Sequence, residues 1–199
     1  SAPIRAAIGF QDQMADIAKV GGISTGSLAA LGDQFEEVGR QTNQSTSDIA
    51  KSAQILAAAG MSAQESVKLL PQIGRVATAM TADMTDITNL AYAATENLKI
   101  PASELGKAMD AAAEAGQQGK FELSDMAKYI PSLAGAYTAV GASGVTAMAD
   151  IASALQVLNK SFPDQSVAAN NLMNWFMKIN SSETRSKFAQ MGTDLTESM

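Results

Sequence analysis

Ser45-Thr46-Ser47-Asp48-Ile49-Ala50-Lys51-Ser52-Ala53-Gln54-Ile55-Leu56-Ala57-Ala58-Ala59-Gly60-Met61-Ser62-Ala63-Gln64-Glu65 decides the fold class. Ser45 to Asp48 supplies a helix-opening cluster, because short polar side chains bond the free N–H groups of a first turn. Ile49, Ala53 and Leu56 then recur at helical spacing, and Gly60 stops the helix where a left-handed residue is wanted. Ser62 with Glu65 three residues later is the pattern of a capping box, and Val67, Leu70 and Ile73 follow as the next apolar stripe. The stretch reads as two helices joined by a turn at Gly60-Met61.

The same punctuation extends outward. Asp83 or Thr85 precedes Ile87, Leu90 and Leu98, and Pro101 stands where a first helical turn accepts it. Ser124 is placed to open a helix through Met126, Ile130 and Leu133. Ser143 does so for Met148, Ile151 and Leu155, and Ser166 for Leu172, Trp175 and Ile179. Runs of β-branched residues with period-two alternation are absent, so strands have little to build from. The expectation is an all-α, compact multi-helix bundle of about eight to ten helices with short connections. Gly21-Gly22, Gly116 to Gly119 and Phe162-Pro163-Asp164 are read as loops. With no Pro/Ser-rich linker, residues 1–199 are expected to form a single helical domain.

An internal echo accompanies the pattern. Ser47-Asp48-Ile49-Ala50-Lys51 leads to Gly60-Met61-Ser62, and Ser124-Asp125-Met126-Ala127-Lys128 leads to Gly141-Ala142-Ser143. The second spacing is longer by four residues, about one helical turn. Both a duplicated helical hairpin and chance similarity in an Ala-rich helical chain account for it.

Composition removes whole classes of chemistry. The 199 residues include no His and no Cys, so imidazole bases, thiolate nucleophiles, zinc sites and disulfides are excluded. The net charge is −6, and each half carries 7 basic and 10 acidic residues. No basic stripe exists for a phosphate backbone, and direct nucleic-acid binding is not expected. The start, Ser1-Ala2-Pro3, has no Met, basic n-region or apolar h-region, and is expected to be the start of an excised piece of a longer chain. Tyr129 to Ala149 is uncharged, but Ala, Gly, Ser and Thr dominate it and Pro131 interrupts it. It is read as a buried helical hairpin, with a membrane-active segment as the alternative.

Candidate constellations are few. Gly21-Gly22-Ile23-Ser24-Thr25-Gly26-Ser27 has the glycine spacing of a phosphate loop, but Ser27 stands where Lys is required and a helix precedes it, so a turn is expected. Asp12 with Asp16, Glu36 with Glu37, and Asp83 with Asp86 are the carboxylate groupings. They are read as solvated faces or first-turn residues, against the facing pair a glycosidase needs. Met14, Met80, Met109, Met126, Met148, Met173 and Met177 are read as core filling, against an adaptable binding surface. Trp175-Phe176 is read as packed under the last helix, against a partner anchor. No catalytic, cofactor-binding or metal-ligating residue is assigned.

Taken in order, Phe10, Met14, Asp16-Ile17, Lys19-Val20, then Ser45 through Ile49-Ala50, Leu56-Ala57, Ala59-Gly60, Ser62 and Glu65, then Asp125-Met126-Ala127, Gly141 and Ser143 resemble a known pattern. The chain is similar to the conserved helical region of phage tail tape measure proteins of the TP901 type, from about Phe10 to Gly192. Phe162-Pro163-Asp164-Gln165-Ser166 departs from the Gly-rich turn the family tends to have there. The resemblance implies a non-enzymatic scaffold segment without cofactors, part of a much longer chain that lies in the virion tail lumen after assembly in the host cytoplasm. By the same resemblance it templates tail tube assembly and sets tail length, in a phage, a prophage or a tail-like particle. The partners implied are tail tube subunits, tail assembly chaperones and tail-tip hub proteins, with self-association as a further expectation. The alternatives are a membrane-active helical domain acting in genome ejection or pore formation, and a helical enzyme running on carboxylates, such as a cell-wall lyase.

Overall fold

The computed structural model describes residues 2–21, 25–117, 121–162 and 164–193. Among them every regular element is helical, with eleven α-helices and one 3-10 turn. The chain divides into two compact units, Ser1–Ala91 and Tyr92–Met199.

The first unit holds α1 (Ala2–Gly21), α2 (Thr25–Thr42), α3 (Thr46–Ala58), α4 (Ala63–Ala79) and the start of α5 (Met84–Glu96). α1 buries Met14 and Ile17, and α2 buries Leu31, Phe35 and Val38, each set recurring along one helix face. α3 begins as its sequence dictates, with Ser45 as N-cap accepting the Asp48 N–H at 3.1 Å. Ile49, Ala53 and Leu56 are buried, as their spacing requires. Gly60, at φ +95°, then ends the helix in the left-handed region, which a side chain would resist. The Met61 N–H reaches back to the Leu56 carbonyl at 3.0 Å and the Gly60 N–H to Ala57 at 2.9 Å, so two end carbonyls are satisfied. The capping box of α4 forms in both directions. The Ser62 N–H donates to Glu65 Oε2 at 2.9 Å, and the Glu65 N–H donates to Ser62 Oγ at 3.2 Å.

α1 packs on α3, and α2 lies against both helices of the α3–α4 pair. α2 and α4 meet closely at Gly74, where an added Cβ would sit 2.6 Å from Thr42 Oγ1 and 2.8 Å from Thr42 Cβ. The Thr42 hydroxyl donates to the Val38 carbonyl at 2.7 Å, and the Thr78 hydroxyl donates to the Thr42 carbonyl at 2.6 Å. The end of α2 is thereby bonded to α4.

In the second unit the end of α5 leads to Pro101, a 3-10 turn (Ala102–Glu104) and α6 (Leu105–Gln117), so the first turn after Pro101 is 3-10 and the α-helix starts at Leu105. Leu98, expected on the α5 stripe, lies beyond that helix and is fully buried. α7 (Leu123–Met126) and α8 (Ile130–Thr138) correct the expectation of one helix opened by Ser124. Pro131 cannot donate to the Ala127 carbonyl and its ring crowds that turn; the helix is interrupted at residues 127–129 and restarts with Pro131 in its first turn. Glu122 holds the N-cap position of α7, making no side-chain bond.

α9 (Gly144–Ser161) follows Ser143 and packs along α6 and against α8. α10 (Gln165–Ile179) packs on α8 and α9, and α11 (Ser182–Gln190) follows. Asp164, and not Ser166, caps α10. Its carboxylate accepts from the Ser166 N–H at 2.9 Å and the Val167 N–H at 3.3 Å, since a carboxylate reaches two donors where a hydroxyl at the next turn position reaches none. Tyr129 to Ala149 is a helical hairpin turning at Gly141, with Ile130, Leu133, Ala147 and Met148 buried. Among the described residues no helix is long and apolar enough to cross a membrane.

Candidate functional surface

One carboxylate of each grouping is engaged by neighbouring groups. Asp16 pairs with Lys19 at 3.4 Å and accepts from Gln54 Nε2 at 3.3 Å. Glu37 is bound by Arg40, and by Gln41 at 2.6 Å; the Arg40 hydrogen bond is the main reason its carboxyl titrates below the ordinary range. Asp83 caps α5, accepting from the Thr85 N–H at 2.7 Å and the Asp86 N–H at 3.3 Å. Burial there favours the neutral acid, but those backbone bonds, the Thr85 hydroxyl and the Lys51 charge together lower its pKa. The Ser166 hydroxyl first, then the Val167 and Ser166 N–H groups, lower Asp164 in the same way. Among the described residues no cluster of acidic side chains has the makings of a cation site. The glycine stretch at Gly22 to Ser24 and the Gln118-Gly119 part of the second loop lie outside the described residues, as does Pro163.

The methionines divide. Met14, Met109, Met126 and Met148 are core residues, Met80 and Met173 are half-buried, and Met177 stands 65% exposed. Trp175 is 51% exposed, which corrects the reading of it as packed beneath the last helix. Its position follows from the wheel of α10. Ala168, Ala169, Leu172 and Phe176 form the buried face, and Trp175 and Met177 sit on its two flanks.

All large exposed apolar side chains among the described residues fall in one stretch: Val157, Phe162, Val167, Trp175, Met177 and Met191. Tyr137 of α8 stacks on Phe176 with ring centroids 4.6 Å apart, and Trp175 lies 5.4 Å from Phe176. The Tyr137 hydroxyl donates to Asp150 at 3.2 Å. Burial, with the Asp150 charge and this hydrogen bond, pushes the phenol pKa up, so it stays a neutral donor. An exposed Trp beside an aromatic stack, on a helix whose one charged residue is Lys178, suits contact with another apolar surface better than bond-making chemistry.

Residues 32–199 match the model of a family described as phage-related minor tail protein. The chain is also 33% identical over 197 residues to a probable tape measure protein of Burkholderia phage BcepMu, which covers 98% of this chain and 23% of that relative. The chain therefore spans about a quarter of the length of the curated relative it matches. No solved structure matches it.

Proposed function

The chain belongs to the phage-related minor tail protein family, and from that premise we propose that it is a structural segment of a tail tape measure protein that templates tail tube assembly and sets tail length. The observation that carries this reading is the near-complete alignment with a protein named as a probable tape measure protein. The proposed partners are tail tube subunits, tail assembly chaperones and tail-tip hub proteins, and the proposed place is the tail lumen.

Within that role the segment works folded. A continuous helix rises about 1.5 Å per residue, so 199 residues drawn out would span roughly 300 Å. Here the longest helix, α1, has 20 residues, and turns at Gly60 and Gly141, both at φ +95°, separate helices that pack on each other. Drawing the chain into a rod would remove those packed faces from one another. Deleting residues 10–192 from the parent gene is expected to block assembly initiation, or to shorten tails by much less than the helical rate. Electron microscopy of the mutant tails reads this directly. Viable tails shortened by close to the full helical length would overturn the folded reading. Unchanged assembly and length would overturn the tape measure role for this segment.

A further inference from the structure

Five landmarks recur along the chain at a nearly constant interval. Lys19-Val20, Lys99-Ile100 and Lys178-Ile179 stand 80 and 79 residues apart, and Ser103-Glu104 returns 79 residues later as Ser182-Glu183. The turn residue Gly60 returns as Gly141, with the same φ of +95° and the same backward bonds. Gly141 N–H donates to Thr138 at 2.9 Å, and Ala142 N–H donates to Tyr137 at 3.4 Å. Ser62 returns as Ser143. Asp83, the cap of α5, returns as Asp164, the cap of α10, and each carboxylate takes the N–H groups two and three residues on. In this register α1, α5 and α10 are successive copies of one helix, and α2, α6 and α11 of the next. The hairpins α3–α4 and α8–α9 follow the first two pairs, and no hairpin within the described residues follows the third.

The burial of the copies shows the consequence. Within the first unit α5 buries Met84, Ile87, Thr88, Leu90 and Ala91, which alone cover about 160° of its circumference at 100° per residue, and within the second unit it buries Ala93 and Ala94. Thr88 donates to Ser52 of α3 at 2.8 Å, and just past the other end Asn97 and Leu98 accept from Thr138 and Gly144 of the α8–α9 hairpin. The α10 copy buries only Ala168, Ala169, Leu172 and Phe176, about 100° of arc. α6 buries six residues and its copy α11 buries none.

We propose that the outer face of α10, with Trp175 and Met177, and the bare face of α11 are the docking site for a third helical hairpin, the counterpart of α8–α9, which follows α11 in the same polypeptide. Repeats of this kind bury each unit's second face only against the next unit, so an open end is apolar until the next repeat covers it. The occupant is a segment of the same chain because the register already supplies the first two helices of the third copy. The relative, of which this chain covers 23%, has ample length to supply more. The inference rests on the repeat and the burial, and stands apart from the tail assignment.

The test is oxidative footprinting of the full parent polypeptide beside residues 1–199 alone, with lysine cross-linking of both and mass spectrometric readout. In the parent, oxidation of Trp175 and Met177 is expected to fall severalfold, and Lys178 and Lys187 to cross-link to the stretch of about one repeat after Met199. Replacing both exposed side chains (Trp175→Glu with Met177→Glu) should leave the 1–199 chain folded and raise Met191 oxidation in the parent. Equal oxidation in both forms, cross-links elsewhere, or a reading frame that closes at Met199 would overturn the proposal. So would concentration-dependent protection in residues 1–199 alone, which would make the occupant a second copy.

Discussion

The two hairpins, α3–α4 and α8–α9, carry the same turn and reach it by different means. In the first, local chemistry secures both helix starts: Ser45 and Ser62 cap their helices, and Glu65 returns the bond to the Ser62 N–H. In the second, Ser143 occupies the N-cap position with no side-chain bond, and the Gly144 N–H is taken by the distant Leu98 carbonyl at 2.6 Å. Gln156 of α9 adds a second distant tie. Its amide accepts from the Phe121 N–H at 3.2 Å and donates to the Phe121 carbonyl, in a buried setting. Prolines show the same divergence. α4 runs through Pro71, whereas Pro131 divides α7 from α8. A turn signal fixes where the chain reverses; whether a cap or a tertiary bond then secures the helix end depends on what lies nearby.

The largest expected break in this comparison is at Gln156. Gln156→Leu leaves both Phe121 backbone groups buried without their partner, and is expected to cost about 2–6 kcal/mol, at roughly 1–3 for each orphaned group. Arg75 stands at the matching place in the first hairpin but is exposed and donates to Gln72, at 2.8 Å, within its own helix. Arg75→Ala should change stability by no more than about 0.5 kcal/mol. Denaturant midpoints of the two variants measure the contrast, and equal losses would remove the tertiary role given to Gln156.

Next is close packing. Gly74→Ala would force its Cβ into Thr42, and is expected to destabilise by about 1–3 kcal/mol. Gly135→Ala in α8 meets only Asn97 Nδ2 at 3.7 Å, and should stabilise by about 0.5–1 kcal/mol through helix propensity. Thermal unfolding of both variants should therefore move in opposite directions.

The caps separate the hairpins more finely. Ser62→Ala is expected to cost on the order of 1 kcal/mol, and Ser143→Ala no more than a few tenths, because only Ser62 makes a side-chain bond. A matching loss at both would mean that the cap at Ser143 forms in solution.

The smallest effect is a pH dependence. The Ser62 hydroxyl first, and then the Ser62 N–H, hold the exposed Glu65 carboxyl below its ordinary value. A depressed folded pKa contributes stability that is complete above the unfolded carboxylate pKa and lost as pH falls through the folded one. The difference in thermal midpoint between the native chain and Glu65→Ala should thus narrow between about pH 5 and about pH 3. A difference that stays constant over this range would show that the box does not depend on charge.

Much of the fold was legible because its signals are short-range. The all-α class, the turns at Gly60 and Gly141, the Ser45 cap and the Ser62–Glu65 box each involve groups within about five residues, so propensity and spacing suffice to read them. Asp164 was within reach of the same reasoning, since a carboxylate two residues before Ser166 is the better cap. The candidate surface was not legible. Trp175 recurs with Leu172 and Ile179 at helical spacing and so passes for a core residue, but the pattern cannot say how wide the covered arc of a helix is.

The sequence by itself determined which segments are helices, where most of them start and stop, and which chemistries are absent, because each of these depends on residue type or on bonds closed within a single turn. Only the tertiary structure decided that Thr42 meets Gly74, that Gln156 clamps Phe121 from 35 residues away, that the helix breaks before Pro131 while α4 continues through Pro71, and that Trp175 faces outward. Those outcomes depend on which helix faces find partners across the fold, and the burial of one face against another is a property of the packed chain that no local window of sequence contains.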